Sequence, residues 1–211
     1  MLTTNQEKFD STHSALLVVD MQNDFCRPGG FVDQIGGDLT GVERALPGIH
    51  SLLKAARSTG VVIVHIRSWF DLEYLNEPMR ERLKRLGVQP YCVRGTWGAE
   101  FIDELQPADG ENVVEKHRYS AFFETDLDDL LRGLGVRSVV VCGTATNNCV
   151  DGTARDAFYR GYYVALPDEA SCAPTDELHH YALATAHHAY SVRAGVPEIV
   201  ATWLAAASDS R

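Results

Sequence analysis

The sequence predicts a three-layer α/β protein, in which helices cover both faces of a central parallel sheet. Short apolar runs rich in valine, isoleucine and leucine alternate along the chain with longer segments of helical composition. A strand that is buried on both faces reads as a continuous apolar run, whereas a strand with one face in water alternates apolar and polar residues. Regular alternation of such strands with helices is typical of a parallel sheet packed between two helical layers.

Five short apolar runs are the predicted strands. They comprise residues 15–20, 61–66, 111–116, 138–143 and 162–167. The first run ends in Asp20 and the third ends in Lys116, so charged residues stand where buried strands finish. Reactive groups of open parallel sheets gather at the carboxyl ends of the strands, and these ends are therefore the predicted location of a site.

Helices are predicted between the strands and after the last one. Pro47 is favoured in a first helical turn, so a helix is expected to begin there and to end at Gly60. Thr125 is a suitable N-cap for a helix with an acidic first turn. Further helices are expected over residues 77–86, from the fourth strand to about residue 160, over 176–190 and over 197–207.

The size and composition favour one domain, residues 1–211. The chain has 45% hydrophobic and 23% charged residues, typical of a soluble globular protein, and no repeat or linker divides it. No apolar run approaches the roughly 20 residues that cross a bilayer. The net charge of −10 argues against binding to nucleic acid, whose phosphates need basic partners. Because the polar N-terminus lacks the pattern of a signal peptide, we expect a cytoplasmic protein without membrane partners.

The cysteine pattern favours free thiols in a reducing compartment. The chain has five cysteines, an odd number, and no C-x-x-C pair. No two cysteines have the spacing of zinc ligands. Each one is therefore either packed as a small apolar residue or chemically active. The five are Cys26, Cys92, Cys142, Cys149 and Cys172.

Asp20, Lys116 and Cys149 are the candidate catalytic residues. Each alone has an ordinary explanation, since Asp20 suits a cap, Lys116 a solvated surface position and Cys149 a buried thiol. Asp20 and Lys116 end predicted strands, and Cys149 follows the fourth strand at the expected start of a helix. Their shared location at the strand ends indicates one reactive cluster.

A thiol, a carboxylate and a lysine together suit acyl transfer from an amide. A thiol with a free pKa of about 8.5 is mostly protonated at neutral pH, and a helix N-terminus or a nearby ammonium lowers that pKa. A carboxylate can take the thiol proton and later deliver it to a departing amine. The loop GTATNN, which precedes Cys149, can direct backbone N–H groups at a developing oxyanion.

At these residues the sequence resembles the isochorismatase-like cysteine hydrolase family. The matching segments, in the family's order and spacing, are LLVVDMQNDF (16–25), EKHRYSAFFETDLDDLLRGLGVR (115–137) and VVVCGTATNNCVDGTARDAFYRGYYVALPDEAS (139–171). The resemblance implies a Rossmann-like fold, a homo-oligomer (dimer or tetramer) and catalytic roles for Asp20, Lys116 and Cys149. It also implies a cis peptide between Thr144 and Ala145, and an oxyanion hole formed by the amides of Ala145 and Cys149.

The mechanism that this resemblance implies proceeds through a covalent intermediate. Asp20 takes the proton of Cys149 while Lys116 stabilises the charged pair. The thiolate attacks the substrate carbonyl, and Asp20 returns the proton to the departing nitrogen. Water then hydrolyses the thioester or thiocarbamate, again with Asp20 as the base.

Family members act on nicotinamide, carbamoyl-sarcosine, ureidoacrylate and biuret-type ureas and, where the cysteine is missing, on isochorismate. Cys149 disfavours isochorismate. Nicotinamidases bind a metal through an Asp-x-His element that this chain lacks, and His65 is interpreted as a packed strand residue. We therefore predict neither a metal nor another cofactor. The histidines of a late helix are interpreted as surface or interface residues: His179, His180, His187 and His188.

The segments RYSAFF, GTATNNCV and TARDAF most resemble the ureidoacrylate amidohydrolase branch, with biuret and carbamoyl amidases nearby. A small ureido or carbamoyl amide is therefore the expected substrate, and a nicotinamidase-type activity is the alternative. A planar polar head needs hydrogen-bond donors and an aromatic wall. The candidate substrate-binding residues are Phe25, Arg67, Trp69, Tyr119, Phe122 and Asn148.

Several of these candidates have a second interpretation. Trp69 and Phe122 suit core packing equally well, and Arg67, the candidate for binding a substrate carboxylate, suits a surface ion pair. Thr144 and Asn148 stand where relatives often have apolar residues, and contact either a polar substrate or a neighbouring subunit. A binding protein or a thiol redox protein that keeps the fold is the non-enzymatic alternative. The complete Asp–Lys–Cys set and the missing C-x-x-C pair argue against it.

Overall fold

The computed structural model describes residues 1–209, in which parallel strands form one six-stranded sheet. The strands are β1 (Ser14–Val19), β2 (Val62–Ser68), β3 (Asn112–Lys116), β4 (Ser138–Thr144), β5 (Tyr163–Ala165) and β6 (Ser171–Cys172). Their order is β3-β2-β1-β4-β5, and β6 pairs with the end of β4. The five predicted strands correspond to β1–β5, whereas β6 is too short to be predicted from an apolar run.

Helices join the strands in the alternation that the sequence predicts. Those of the described residues are α1 (Asn5–Lys8), α2 (Asn23–Cys26), α3 (Phe31–Gln34), α4 (Thr40–Thr59), α5 (Glu77–Leu86), α6 (Leu127–Gly133), α7 (Asp151–Tyr159), α8 (Asp176–Ala189) and α9 (Val196–Asp209). A π-helical turn, Thr146–Val150, connects β4 to α7. Within residues 1–209, no helix is both long and apolar enough to span a membrane.

The sheet lies between two helical layers, which confirms the predicted three-layer fold. On one face, α4 and α9 pack against alternate strand residues such as Leu16 and Val18. On the other face, α6, α7 and α8 pack against Leu17 and Val19. Every residue of β1 is buried, because both faces of this central strand are covered. This two-sided burial is the physical reason for its continuous apolar run.

The start predicted for the helix before β2 is wrong. The helix begins at Thr40 rather than at Pro47, and Pro47 lies inside it. Upstream of the proline, Val42 and Ala45 are buried against the same core as the rest of α4. Packing of this apolar face therefore extends the helix through a residue that lacks an N–H donor. Asp38 satisfies the helix start, since its carboxylate accepts a hydrogen bond of 2.8 Å from the Thr40 amide.

The helix predicted to follow Thr125 begins two residues later, at Leu127. The Thr125 hydroxyl still accepts a hydrogen bond from the Leu127 amide at 3.3 Å, so the side chain contacts the first turn as a cap would. The residue before the helix, Asp126, makes no capping hydrogen bond with its side chain.

The segment between β2 and β3, residues 69–111, forms a cover over one end of the sheet, and we call it the cover segment. It contains α5 and has a small apolar core of its own, which includes Phe70, Leu83 and Cys92. Backbone hydrogen bonds attach it to the chain that follows β1: the Asn23 amide donates to Glu100 and the Ile102 amide donates to Met21. The cover segment therefore stands directly over the carboxyl ends of β1 and β3.

Candidate active site

The three candidate catalytic residues lie in contact at the carboxyl edge of the sheet. The Lys116 ammonium donates to Asp20 at 2.8 Å and lies 3.3 Å from the Cys149 sulfur. The negative charge of Asp20 also acts on the Cys149 thiol and raises its pKa. The exposed fractions are 1% for Asp20, 0% for Lys116 and 6% for Cys149, so the cluster is almost removed from water.

The fold positions each of the three side chains at the end of a strand. Asp20 directly follows β1 and has a left-handed backbone, with φ of 52°. Such a conformation is uncommon outside glycine, although aspartate tolerates it better than most residues, and it is often found at functional sites. Lys116 is the last residue of β3, and Cys149 lies in the π-helical turn after β4. Strands β1, β3 and β4 run parallel, so their ends bring the residues together.

The backbone at the end of β4 requires the glycine that precedes Thr144. Gly143 has φ of 111°, and a Cβ at this position would lie 2.1 Å from the Val19 carbonyl oxygen. Only glycine therefore allows β4 to approach β1 this closely just before the cysteine turn. The peptide bond that joins Thr144 to Ala145 is cis, and Ala145 leads directly into the turn that carries Cys149.

Ser68 is a fourth member of the cluster that the sequence analysis missed. Its hydroxyl accepts from the Lys116 ammonium at 2.8 Å and donates to the other oxygen of Asp20 at 3.1 Å. The predicted second strand ends at residue 66, two residues short of the observed end of β2 at Ser68. Extending that strand to its polar end would have placed Ser68 at the same edge as Asp20 and Lys116.

Gln22 fixes the backbone around Ser68. Its side-chain amide donates to the carbonyls of Ser68 and Ala99, at 3.0 and 2.8 Å, and accepts from the Ser68 amide at 2.8 Å. Gln22 is fully buried, so these hydrogen bonds are shielded from water. The side chain thus connects the end of β1, the end of β2 and the cover segment behind the cluster.

Lys116 is charged in this environment and Cys149 is neutral. Burial by itself lowers the pKa of Lys116, but the charge of Asp20 and the contact with Cys149 outweigh burial, so the pKa is raised. Lys116 also donates to the Arg118 carbonyl at 3.1 Å. Burial and then the charge of Asp20 raise the pKa of the Cys149 thiol, against the opposing effect of Lys116. The expectation of a lowered thiol pKa is thus wrong for the resting site, because burial outweighs the ammonium.

A pocket opens onto this cluster from the side of the cover segment. It encloses about 560 Å³, counted with its open mouth. Asp20 and Cys149 form its floor, together with Thr144, Ala145 and Asn148 from the β4 end. Its walls are mainly apolar and aromatic, and they are formed by Phe25, Phe31, Val32, Ile35, Phe70, Tyr91, Tyr119 and Pro174, with Arg82 as the charged residue.

Phe25, Tyr119 and Asn148 are the predicted substrate-binding residues that line this pocket. Arg67 and Trp69 do not line it. Arg67 alternates with Ser68 along β2 and therefore points to the opposite face of the sheet, where its guanidinium stacks on Trp69 and donates to Glu115 at 2.6 Å. The surface ion pair, rather than a substrate carboxylate, is the partner of Arg67 in this structure.

Phe122 does not line the pocket either. It is buried in the core between the sheet and α6, beside Leu127, and its ring lies 6.0 Å from that of Tyr162. The core-packing interpretation therefore describes Phe122. Phe25 and Phe122 both lie in segments that resemble the family, so the resemblance alone does not show that the backbone turns only Phe25 toward the pocket.

Asp24 holds together the part of the wall that sequence reasoning missed. Its carboxylate accepts from the Phe31 amide at 3.2 Å and from the Cys92 amide at 2.6 Å. Phe31 and Tyr91 consequently stack, with ring centroids 3.7 Å apart and an interplanar angle of 15°. A Cβ on Gly98 would lie 2.2 Å from an oxygen of Asp24, so a glycine is needed where the cover segment passes this carboxylate.

The histidines do not form a metal-binding cluster. His65 is fully buried on β2, where burial lowers its pKa and its ring bonds Glu111 at 2.8 Å. His179 contacts the Thr146 hydroxyl at 2.9 Å, and His187 contacts Asp168 at 2.9 Å. His180 and His188 are exposed. Within residues 1–209, no group of three or more His, Cys, Asp or Glu side chains is placed to hold a metal ion.

The arrangement combines the parts that nucleophilic catalysis needs. One ammonium contacts both a carboxylate, which can accept a proton, and a thiol, which can give one. Through the pocket a small molecule can reach Asp20 and Cys149, whereas the remaining surface of the three side chains is covered by protein. Fold and cluster together define a class of protein, the three-layer α/β proteins with an Asp–Lys–Cys cluster at the strand ends.

The chain belongs to the isochorismatase family, because the model of the isochorismatase domain matches residues 14–194. Solved structures agree with this assignment. A cysteine hydrolase from Pseudomonas syringae pv. phaseolicola is 26% identical with a TM-score of 0.81, and the match covers 93% of this chain and 95% of that one. A nicotinamidase/pyrazinamidase from Bacillus subtilis is 28% identical with a TM-score of 0.70, covering 84% of this chain and 96% of that one.

A third relative bears on metal binding. The pyrazinamidase of Pyrococcus horikoshii, solved in complex with zinc, is 33% identical with a TM-score of 0.65, and the match covers 82% of this chain and 93% of that one. Among the described residues of the present chain no three or more His, Cys, Asp or Glu side chains are placed to hold a metal ion; His65 is buried against Glu111, and His179, His180, His187 and His188 lie on α8. The side chains present thus do not fit a resident zinc ion.

Proposed function

We propose that this protein is a cysteine-dependent amidohydrolase that cleaves a C–N bond in a small ureido or carbamoyl substrate. The observation that carries the proposal is the contact network of Asp20, Lys116 and Cys149 at the floor of a pocket. Membership of a hydrolase family and the likeness to a cysteine hydrolase support the same reaction class. The proposed roles are nucleophile for Cys149, proton carrier for Asp20 and electrostatic partner for Lys116.

The proposed reaction starts from the neutral thiol of the resting site. Asp20 accepts the thiol proton as the sulfur attacks the substrate carbonyl, and Lys116 stabilises the carboxylate and the developing thiolate. The C–S bond forms, the C–N bond breaks, and Asp20 gives its proton to the departing nitrogen. In the second half, water gives a proton to Asp20 and its oxygen to the acyl carbon, the C–S bond breaks, and the thiol is restored.

The raised pKa of the Cys149 thiol is compatible with this sequence of steps. A neutral thiol in a dry site does not need to ionise in advance, because its proton moves to Asp20 only when the sulfur begins to bond to carbon. The ammonium of Lys116 is already 3.3 Å from the sulfur, so it needs no rearrangement to stabilise the charge. Ser68 and Gln22 act as positioning residues, since the Ser68 hydroxyl bonds Asp20 and Lys116 and Gln22 holds the Ser68 backbone.

The backbone amides of Ala145 and Cys149 are the proposed oxyanion hole. The cis peptide before Ala145 and the π-helical turn that contains Cys149 form the part of the pocket floor that lies beside the sulfur. A carbonyl attacked by Cys149 would place its oxygen next to this backbone. Two polar side chains that the sequence analysis names here differ in their hydrogen bonding. The buried Thr144 hydroxyl donates to the Cys172 carbonyl at 3.5 Å, whereas Asn148 faces the pocket.

The choice of a ureido substrate is supported by the polar groups at the pocket floor. The Asn148 amide can donate and accept beside the nucleophile, as a planar ureido head requires. A nicotinamidase-type activity is the second candidate. The aromatic walls, which include Phe25 and Phe70, suit the ring of an aromatic carboxamide, and two of the similar structures are described as nicotinamidase or pyrazinamidase.

Release of ammonia from a panel of substrates tests the proposal. The panel comprises ureidoacrylate analogues, N-carbamoyl amino acids, biuret, triuret and nicotinamide, and each is assayed with the wild-type protein and with C149A. We expect turnover of a ureido or carbamoyl compound that is lost in C149A. A clear preference for nicotinamide would favour the second candidate, and turnover that survives in C149A would exclude Cys149 as the nucleophile.

A further inference from the structure

Arg82 is an arginine in the pocket that has no partner. It lies on α5, is half-buried, and lines the pocket whose floor contains Asp20 and Cys149. Among the residues that the structure describes, no carboxylate or carbonyl lies within ion-pair or hydrogen-bond distance of its guanidinium. A guanidinium is charged at all physiological pH values and offers five donors, so its hydrogen-bonding capacity is unused here.

The other two arginines of α5 have partners, so the lack of a partner is particular to Arg82. Arg80 donates to the Leu72 carbonyl at 2.7 Å, and Arg85 pairs with Glu81 at 3.3 Å. Both are exposed, whereas Arg82 lies on the inner face of the helix with Met79 and Leu83. The helix thus directs one charged residue inward and leaves it unpaired.

The charges around the pocket favour an anionic group at Arg82. At the floor, the negative charge of Asp20 is balanced by Lys116, so Arg82 leaves the pocket with a net positive charge. The chain as a whole has a formal charge of −10, and this positive pocket is therefore a local exception. A substrate without an anionic group would leave the half-buried guanidinium unpaired after the pocket is filled, which is costly.

A phenol that lines the same pocket as Arg82 adds a second kind of donor. Tyr91 lines the same pocket, and burial raises its pKa while the Arg82 charge opposes that rise. The phenol is therefore neutral and can donate a hydrogen bond. A guanidinium that donates two parallel bonds, with a phenol O–H beside it, matches the oxygen atoms of a carboxylate.

We propose that Arg82, assisted by Tyr91, binds a carboxylate at the end of the substrate that lies away from the amide attacked by Cys149. The substrate class is then a small ureido or carbamoyl acid, such as an N-carbamoyl amino acid or a short unsaturated ureido acid. This inference rests on the proposed function for the identity of the reacting end. It assigns to Arg82 the role that the sequence analysis expected of Arg67.

Matched substrates test the role of Arg82 in turnover. N-Carbamoylglycine, N-carbamoyl-β-alanine and ureidoacrylate are each compared with their neutral carboxamides, which keep the same ureido head. For wild type we expect kcat/KM to be higher for the acids. R82Q should lower kcat/KM for the acids by about 10- to 100-fold, mainly through KM, and change the neutral analogues by no more than about twofold. R82K should recover part of the loss, and R85Q is the matched control on the same helix.

Binding measurements separate failure of this inference from failure of the proposed function. The same acids and carboxamides are titrated calorimetrically into C149A and into C149A/R82Q, neither of which needs to turn anything over. We expect C149A to bind at least one acid about tenfold or more tightly than its carboxamide, and C149A/R82Q to lose that preference. If wild type hydrolyses none of the compounds but C149A shows the preference, the proposed function fails and the carboxylate site stands. If no acid is preferred, or the preference survives in C149A/R82Q, the role of Arg82 is overturned.

Discussion

The strand ends and the cover segment contribute to the same pocket in opposite ways. At the strand ends, Asp20, Ser68 and Lys116 are fully buried, and their polar atoms are hydrogen-bonded to one another. On the cover segment, Arg82 and Tyr91 are half-buried and keep free hydrogen-bonding capacity. Groups with fixed partners suit a constant chemical step, whereas groups with free donors suit recognition of a ligand. The residues proposed for bond cleavage thus have fixed partners, whereas the residues proposed for substrate choice keep free donors.

The largest effect is expected from C149A, which removes the proposed nucleophile. Loss of an essential nucleophile lowers kcat on the order of 10⁴-fold or more. The matched control is C142A, because Cys142 is also buried but packs in the core on the opposite face of the sheet. We expect C142A to keep most of the wild-type kcat. Equal losses in both variants would indicate an effect on folding rather than on chemistry, and thermal unfolding of both proteins checks this.

A single substitution breaks the ion pair of Asp20 and Lys116, and a double substitution removes both of its charges. K116M leaves the carboxylate of Asp20 buried without its cation, and we expect a loss of about 3–5 kcal/mol in the free energy of unfolding. D20N/K116M removes both charges and should recover much of that stability, although it should not turn over substrate. Urea unfolding measures both effects. A K116M protein as stable as wild type would show that the buried site does not depend on this pair.

S68A is expected to have an intermediate effect. It removes the hydroxyl that contacts both Lys116 and Asp20, so a buried donor and acceptor each lose one partner. We expect kcat to fall about 10- to 100-fold with little change in KM, because Ser68 does not line the pocket. S138A, at the start of β4, is the matched serine control. A KM effect larger than the kcat effect would mean that Ser68 contacts substrate.

Away from the site, Glu111 predicts a pH dependence of stability rather than of turnover. Hydrogen bonds from Arg57, opposed by partial burial, lower the pKa of Glu111 to about 2, with further help from the Ala108 amide and His65. A carboxyl group whose pKa is lowered in the folded protein stabilises the fold at pH values above its ordinary pKa. That stability is lost as the pH falls from about 5 toward 2. E111Q should therefore unfold at lower urea concentration than wild type at pH 7, and the difference should shrink over that range. A difference that stays constant with pH would contradict this account.

R67Q should have the smallest effect on turnover. Arg67 pairs with Glu115 and stacks on Trp69 outside the pocket, so KM for ureido acids should stay within about twofold of wild type. The same substitution at position 82 is expected to raise KM. If R67Q raised KM as R82Q is expected to do, Arg67 would contribute to substrate binding, and its position outside the pocket would not explain its role.

How far the sequence predicts the site depends on how local the signal is. Asp20 and Lys116 follow apolar runs, and the cysteine turn follows another, so the ends of parallel strands bring all three together without knowledge of the packing. Ser68 is missed because the apolar run of β2 ends before its last two residues. Arg82 is missed because charged residues are frequent on exposed helices, and nothing local shows that one of them faces inward.

The proposed carboxylate-binding residue is Arg82 rather than Arg67, and this difference depends on tertiary structure alone. Adjacent residues of a strand point to opposite faces, so the register of β2 decides that Ser68, and not Arg67, points toward the site. The inward turn of α5 depends on how the cover segment packs over the sheet, which involves contacts far apart in sequence. The extension of α4 through Pro47 has the same origin, since burial of its apolar face overrides a local signal for a helix start.

The amino-acid sequence by itself determined the layered α/β fold and the residues at the strand ends. Apolar runs of strand length and the motif around Cys149 are local properties of the chain, and strand ends in a parallel sheet meet at one edge wherever the helices pack. Tertiary structure alone decided which side chains complete the cluster and which line the pocket. Those outcomes depend on the registers of β1, β2 and β3 and on the docking of the cover segment, which brings Arg82 and Tyr91 to the pocket that opens on Cys149.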